Sequence, residues 1–342
     1  MLPASLTSLT IMGERFQSNL NHVLPESLKM LRINDAFNWN LPIESGGLPS
    51  QLERINFGGT FNHPLAGVLP QSINRLKLEY SRFDHDLVNM PSNLTRLSLH
   101  CVQPFARRID LPNLQRLKIS QVSQPFTNVF PQLKILSIGK IQTTLLTSHI
   151  TDQNFPRLYR LHVNNILDQA GQPKTDLNLS RLPTTLRKLR IIFAQPISAF
   201  PIGLESLKME YSGLFRLHPG LLPTTIRTLD IRSYQTQLEE GCIPQSIRSI
   251  SIDGRHLGQL VGDHVAPLPS LRKLTLKIIY RKSIIKQLAT PLIRIVDSEY
   301  IEYTLRRISP DIFIYVSFNM TRCGFININN LSTVIGAMDD DS

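Results

Sequence analysis

The stretch Leu69-Pro70-Gln71-Ser72-Ile73-Asn74-Arg75-Leu76-Lys77-Leu78 returns twenty-one residues later as Met90-Pro91-Ser92-Asn93-Leu94-Thr95-Arg96-Leu97-Ser98-Leu99. In both, a proline precedes an apolar residue by three positions, and apolar residues follow that one at three and five positions. Working outward in both directions, the first apolar residue of each unit is Leu6, Leu28, Leu52, Ile73, Leu94, Leu114, Leu133, Leu158, Leu186, Leu204, Ile226, Ile247 and Leu271. Thirteen units follow one another at intervals of 18 to 28 residues, about 22 on average.

A unit of this length lies in the range of leucine-rich repeats and is shorter than ankyrin or tetratricopeptide units. The two later apolar residues, such as Leu76 and Leu78, have the period of two that a short strand requires to turn one face inward. One such strand cannot bury its apolar face alone, whereas stacked units merge their inner faces into one continuous core. The fold class expected is therefore a repeat solenoid, a leucine-rich-repeat-like curved parallel β-sheet with a loop-rich convex side and a small C-terminal cap. Its two parts are a solenoid over residues 1–280 and a capping segment with a short acidic tail over 281–342.

Between strands the chain is rich in Pro, Gly and Asn, as in Phe61-Asn62-His63-Pro64-Leu65-Ala66-Gly67, too broken for a helix. The outer side is expected to be loop and extended chain. A second apolar column runs nine to twelve residues after the first: Phe16, Phe37, Phe61, Phe83, Phe105, Phe126 and Phe215, with Leu238 and Leu257 substituting later. It reads as an aromatic spine filling the wide side of the solenoid.

These residues resemble the FNIP repeat, a leucine-rich-repeat class. The resemblance rests on Leu24-Pro25-Glu26-Ser27-Leu28 with Phe37-Asn38, on Leu48-Pro49 with Phe61-Asn62-His63-Pro64-Leu65, and on Leu69-Pro70-Gln71-Ser72-Ile73 with Phe83-Asp84. It is strong to about residue 130, weakens where 145–154 and 168–178 insert extra residues, and returns at Leu222-Pro223 and Ile243-Pro244. It implies a binding scaffold, in some members attached to an F-box or kinase domain. The Asn or Cys ladder of ordinary leucine-rich repeats is replaced here by Ala36, Thr60, Ser81 and Val102, so turn backbone groups need other partners, for which Asn38, Asn62 and Asp84 are the candidates.

The chain carries 37 Lys plus Arg against 26 Asp plus Glu, a net charge of +11. Residues two, four and six places after each first residue alternate with the core and face outward on the sheet. Those thirty-nine positions hold fourteen basic residues and only Glu79, Glu210, Asp230 and Asp253 in opposition, so nearly all of the net charge falls on one surface. The candidate binding residues are Arg54, Arg75, Lys77, Arg96, Arg116, Lys118, Arg160, Lys188, Arg190 and Lys208. Like charges on neighbouring strands repel by about 0.8 kcal/mol per pair 5 Å apart in water, which an anionic partner would relieve; as solvated cover, the same side chains would also resist edge aggregation.

The function expected is a non-enzymatic interaction scaffold that binds an acidic or phosphorylated protein, one form of which would be the substrate-reading part of a larger protein. The alternative is nucleic-acid backbone binding by the same face. No aromatic residue stands among the thirty-nine positions to stack on bases. No phosphate loop, metal-binding pair or nucleophile motif is present, so neither catalysis nor a cofactor is expected.

Cys101, Cys242 and Cys323 have no paired spacing, and no apolar run approaches a membrane span, which together point to a cytoplasmic protein. Met1 to Leu6 enter directly into a repeat with no cap, and the expectation is that a preceding domain is missing. Beyond 280 the sequence reads as a helix opened by Asp297 or Ser298, with Ile301, Leu305 and Ile308 on one face, then a strand over 312–318.

Overall fold

The units are closed by the same turn, which proline opens in most of them and Leu111, Phe130, Phe155 and Leu268 open in the others. The carbonyl of Pro25, Pro49, Pro70, Pro91, Pro201, Pro223 and Pro244 accepts the N–H of the residue three places on, which is the first apolar residue of the unit. Proline suits the opening position because it has no N–H to satisfy and a fixed φ. The next two N–H groups then reach back one unit to a single carbonyl: Lys29 and Met30 to Thr7, Glu53 and Arg54 to Lys29, Asn74 and Arg75 to Glu53. The serine in Leu-Pro-x-Ser-Leu ties the same units together. Ser27 Oγ donates toward the carbonyls of Ala4 and Leu6, and Ser72 Oγ toward those of Ser50 and Leu52, all at 2.6–2.8 Å.

The computed structural model describes residues 2–13, 15–33, 39–78, 83–100, 111–167, 176–211, 215–256, 268–277, 290–296, 302–317 and 322–330. The chain divides into two compact units, the first comprising 1–174 with 181–186 and the second 175–180 with 187–342. The first holds strands β1 (Ser8–Ile11), β2 (Met30–Ile33), β3 (Arg54–Phe57), β4 (Arg75–Leu78), β5 (Arg96–Leu99), β6 (Arg116–Val122), β7 (Ile135–Gln142) and β8 (Arg160–Leu167). They pair in parallel in chain order with unbroken register, so Leu31, Ile55, Leu76, Leu97, Leu117, Leu136 and Leu161 form one inward row. All seven are buried, as are Leu28, Leu52, Ile73, Leu94, Leu114, Leu133 and Leu158. Each fully buried side chain contributes roughly 1.5–3 kcal/mol of transfer free energy, and the stacking is what makes the burial available.

The aromatic spine is present where the chain is described. Phe61, Phe83, Phe126, Phe215 and Leu238 are buried and Phe16 is half-buried; Phe37, Phe105 and Leu257 lie outside the described residues. Trp39 joins the spine, sandwiching with Phe57 and Phe61 at ring-centroid distances of 6.1 and 5.7 Å, and its indole N–H donates to the Ser18 carbonyl. The turn groups left by the missing Asn/Cys ladder are met by an asparagine chain: Asn40 Oδ1 accepts the Asn62 N–H and Asn62 Oδ1 accepts that of Asp84. Of the candidates, Asn62 takes the expected role and Asn38 lies outside the described residues.

The outer side is not all loop, because the segment after β7 forms a short helix, α1 (Thr143–His149), which buries Leu145 and Leu146. Gly139 marks where β7 presses on β6. A Cβ there would stand 2.2 Å from the Ser120 carbonyl oxygen, so no side chain fits without moving backbone.

The second unit holds a two-stranded pair, β9 (Leu177–Asn178) with β11 (Ile197–Ala199), and a parallel run of β10 (Lys188–Phe193), β12 (Ser206–Tyr211), β13 (Thr228–Ile231), β14 (Ser249–Asp253), β15 (Lys273–Lys277) and β16 (Leu292–Val296). Each of the thirteen repeats read from sequence leads into a strand, and β16 adds a parallel rung whose turn chemistry the sequence pattern does not show. The ladder then reverses. Strands β17 (Glu302–Ser309), β18 (Ile312–Ser317) and β19 (Cys323–Asn327) continue it antiparallel from β16.

The expected helix carrying Leu305 and Ile308 is therefore wrong. Leu305 is buried in a strand and Ile308 is exposed, while Asp297, Ser298 and Ile301 lie outside the described residues. Tyr303 and Leu305, both buried, fit a period of two as well as Leu305 fits a helical one. Pairing to the edge of β16 selects the strand, a non-local term that local spacing does not contain. The strand expected over 312–318 forms as Ile312–Ser317. The boundary near 280 falls within 278–289, outside the described residues.

Candidate binding face

Register alone builds the basic surface of the first unit. Arg54, Arg75, Arg96 and Arg116 are directly paired across β3, β4, β5 and β6, so their Cα atoms follow one another at a strand spacing of about 4.8 Å. Two residues on, the second column reads Asn56, Lys77, Ser98 and Lys118 along the same strands. Arg54, Arg96, Arg116 and Lys118 are exposed and Arg75 and Lys77 half-buried. Among the described residues no Asp or Glu stands on this face, and Arg54, Arg75, Arg96 and Arg116 form no ion pair. Farther along, Ile135 and Ser137 of β7 interrupt the charge before Arg160 and His162 of β8.

A depression of about 390 Å³ opens on this face, lined by Arg75, Lys77, Arg96, Arg116 and Lys118 together with Ser98, Ser137 and Ile135. The two serines were not among the residues singled out from sequence. Their signal is negative: a short side chain at a position where neighbouring units carry Lys leaves a hollow, which appears only when the columns are aligned.

On the second unit's face several basic residues meet carboxylates. Arg190 and Lys208 both reach Glu210, at 3.1 and 3.0 Å. Lys208 also lies 3.8 Å from Asp230, which pairs with Arg232 at 2.9 Å. On β14 Asp253 takes Arg255 at 3.0 Å. Burial works to raise the Glu210 pKa, but hydrogen bonds and charge from Lys208 and Arg190 together hold it below the usual carboxylate value. So of the ten candidates, Arg54, Arg75, Lys77, Arg96, Arg116, Lys118 and Arg160 share the first unit's sheet, and Arg190 and Lys208 of the second are paired with carboxylates. Lys188 stands half-buried at the start of β10.

The family model described as FNIP Repeat matches residues 19–60, 39–81 and 61–102. Residues 19–102 are FNIP repeats. These repeats supply β2, β3, β4 and β5, and so three of the four arginines of the ladder. The chain is also similar to the crystal structure of CroV588, a novel circular LRR protein, with a TM-score of 0.59 and 22% sequence identity over 81% of this chain. That likeness is one of fold, leucine-rich-repeat-like, and this chain spans 40% of the length of the CroV588 chain. No curated protein matches the chain.

Among the described residues no three His, Cys, Asp or Glu side chains stand close enough to hold a metal ion, and no helix is long and apolar enough to cross a membrane. A repeat solenoid with an open sheet face is the architecture of an interaction scaffold, since stacked repeats present an extended surface rather than an enclosed pocket.

Proposed function

We propose that the FNIP repeat unit binds an acidic or phosphorylated segment of a protein partner on the face of β3 to β8, without catalysis, in the cytoplasm. The observation that carries this reading is the contrast between the two units. Outward-facing basic residues of one sheet, Arg190, Lys208 and Arg232, are held by Glu210 and Asp230, while among the described residues the four ladder arginines of the other form no ion pair; Glu79, the acidic residue the sequence places on that face, lies outside the described residues. Neutral or ion-paired positions would fold with less repulsion, so an anion arriving from outside relieves a cost that the fold itself leaves standing. The free thiols of Cys242 and Cys323 support a reducing setting.

The test is charge reversal of Arg75, Arg96 and Arg116 together, set against reversal of Arg15, Arg157 and Arg216, which are exposed and off the strands. Binding to acidic and phosphorylated peptides should fall at least tenfold for the first triple variant and stay within twofold for the second. Equal losses would mean that net charge alone governs binding, and the ladder would then be solvated cover.

A further inference from the structure

We infer that the hollow over Ser98 is a subsite for a phosphate monoester, so that the preferred partner is an extended protein segment carrying a phosphorylated serine or threonine. This rests on the reading of the face as an anion-binding surface and adds a ligand chemistry and a place to it.

Ser98 sits in the second column with Lys77 on one side and Lys118 on the other, each one strand away in register. Its own side chain is short and only 8% exposed, so between two lysines it leaves a well two strand spacings across, about 9.6 Å. Along one edge of that well runs the stacked column Arg75, Arg96 and Arg116. The result is the depression of about 390 Å³ with five cationic side chains around it.

A carboxylate presents two oxygens in a plane and one negative charge, which one guanidinium fork can satisfy in bidentate fashion. Three guanidinium groups in a column offer more donors than that, from directions that do not share a plane. A phosphate monoester has three terminal oxygens, tetrahedrally arranged, and a charge of about −1.5 to −2 at neutral pH, so it can accept from several of these groups at once. The well also explains why the ligand is a side-chain phosphate on an extended segment. The face is open along the columns, where flanking chain can run, and the depression takes in Ser98 and Ser137.

The experiment compares three probes on the full chain: a peptide with one phosphoserine among uncharged residues, the same peptide with Glu-Glu in its place at equal charge, and a single-stranded RNA of similar length. The phosphopeptide should bind at least tenfold tighter than the Glu-Glu peptide, with inorganic phosphate competing. Ser98→Leu fills the well and leaves all five cations in place; it should abolish the phosphate preference while changing Glu-Glu peptide binding less than twofold. Should that variant fail to fold, as read by its melting curve, Ser137→Leu fills the other end of the hollow and should weaken the same preference.

Equal affinity for the two peptides, both lost in the Arg75, Arg96 and Arg116 charge reversal, would overturn the subsite and leave the acidic-partner reading standing. No binding of either peptide would overturn both. RNA binding tighter than the phosphopeptide, with a steep salt dependence, would reassign the face to a nucleic-acid backbone.

Discussion

Replacing Phe61 with Ala should cost the first unit about 3–5 kcal/mol, the range for removing a fully buried aromatic ring. Phe61 is 0% exposed and stacks on Phe57 at 4.2 Å and on Trp39 at 5.7 Å, with interplanar angles of 10° and 11°. Each such aromatic contact is worth about 0.5–1.5 kcal/mol beyond area burial, which places the expected loss toward the upper end. Against a typical domain stability of about 5–15 kcal/mol, this is a large fraction. The assay is built into the protein, because Trp39 is its single tryptophan and is 1% exposed. Urea unfolding followed by tryptophan emission reads the first unit locally, which matters in a repeat array whose parts need not unfold together. The same ring removed from Phe16, which is half-buried, should cost distinctly less. A loss below about 1 kcal/mol for Phe61→Ala, or native emission at the wavelength of indole in water, would refute the stacked spine.

Gly139→Ala should destabilise the first unit by about 1–3 kcal/mol, as overpacking against a rigid neighbour does, because the added methyl meets the Ser120 carbonyl oxygen; a thermal melt unchanged from wild type would count against the close approach of β6 and β7. Glu210, whose pKa is lowered in the folded chain, contributes stability that is present above its ordinary value of 4.5 and lost as pH falls through the folded value. Glu210→Gln should therefore flatten the decline of melting temperature below pH 4.5, and an unchanged slope would dismiss the ion pairs with Lys208 and Arg190 as energetically silent. Burial pushes the Cys242 thiol up to about 11, so in a variant with Cys101 and Cys323 replaced by Ser it should stay unlabelled by a thiol reagent at neutral pH and react on unfolding. Rapid native labelling would show that its site is open.

Much of the fold was legible because a repeat states its own structure many times over. The inward row from Leu31 to Leu161 and the turn opened by proline are local patterns, and any accidental match in one unit is corrected by the next. Of the C-terminal strands, the one over 312–318 was legible, but β17 and β19 were not, for the opposite reason. They occur once, and Leu305 satisfies helical and strand periods equally, so only the open edge of β16 decides between them. Trp39 was not legible because the residues two places after Phe61 and Phe83 are His63 and His85, so no apolar column runs through its position.

The candidate site divides in the same way. The sequence by itself determined that Arg54, Arg75, Arg96 and Arg116 share a column, since identical spacing from the first apolar residue forces identical register. It also determined the sign of the face, because outward positions follow from alternation alone. What only the tertiary structure decided is which of those charges meet Glu210 and Asp230. Glu210 serves Arg190 across a strand boundary and Lys208 on its own strand, and Asp230 takes Arg232 two residues on, pairings set by side-chain reach over a twisted surface rather than by position in the repeat. The hollow at Ser98 is likewise tertiary. A serine is unremarkable in a single strand, and becomes a well only when register places Lys77 and Lys118 on either side of it.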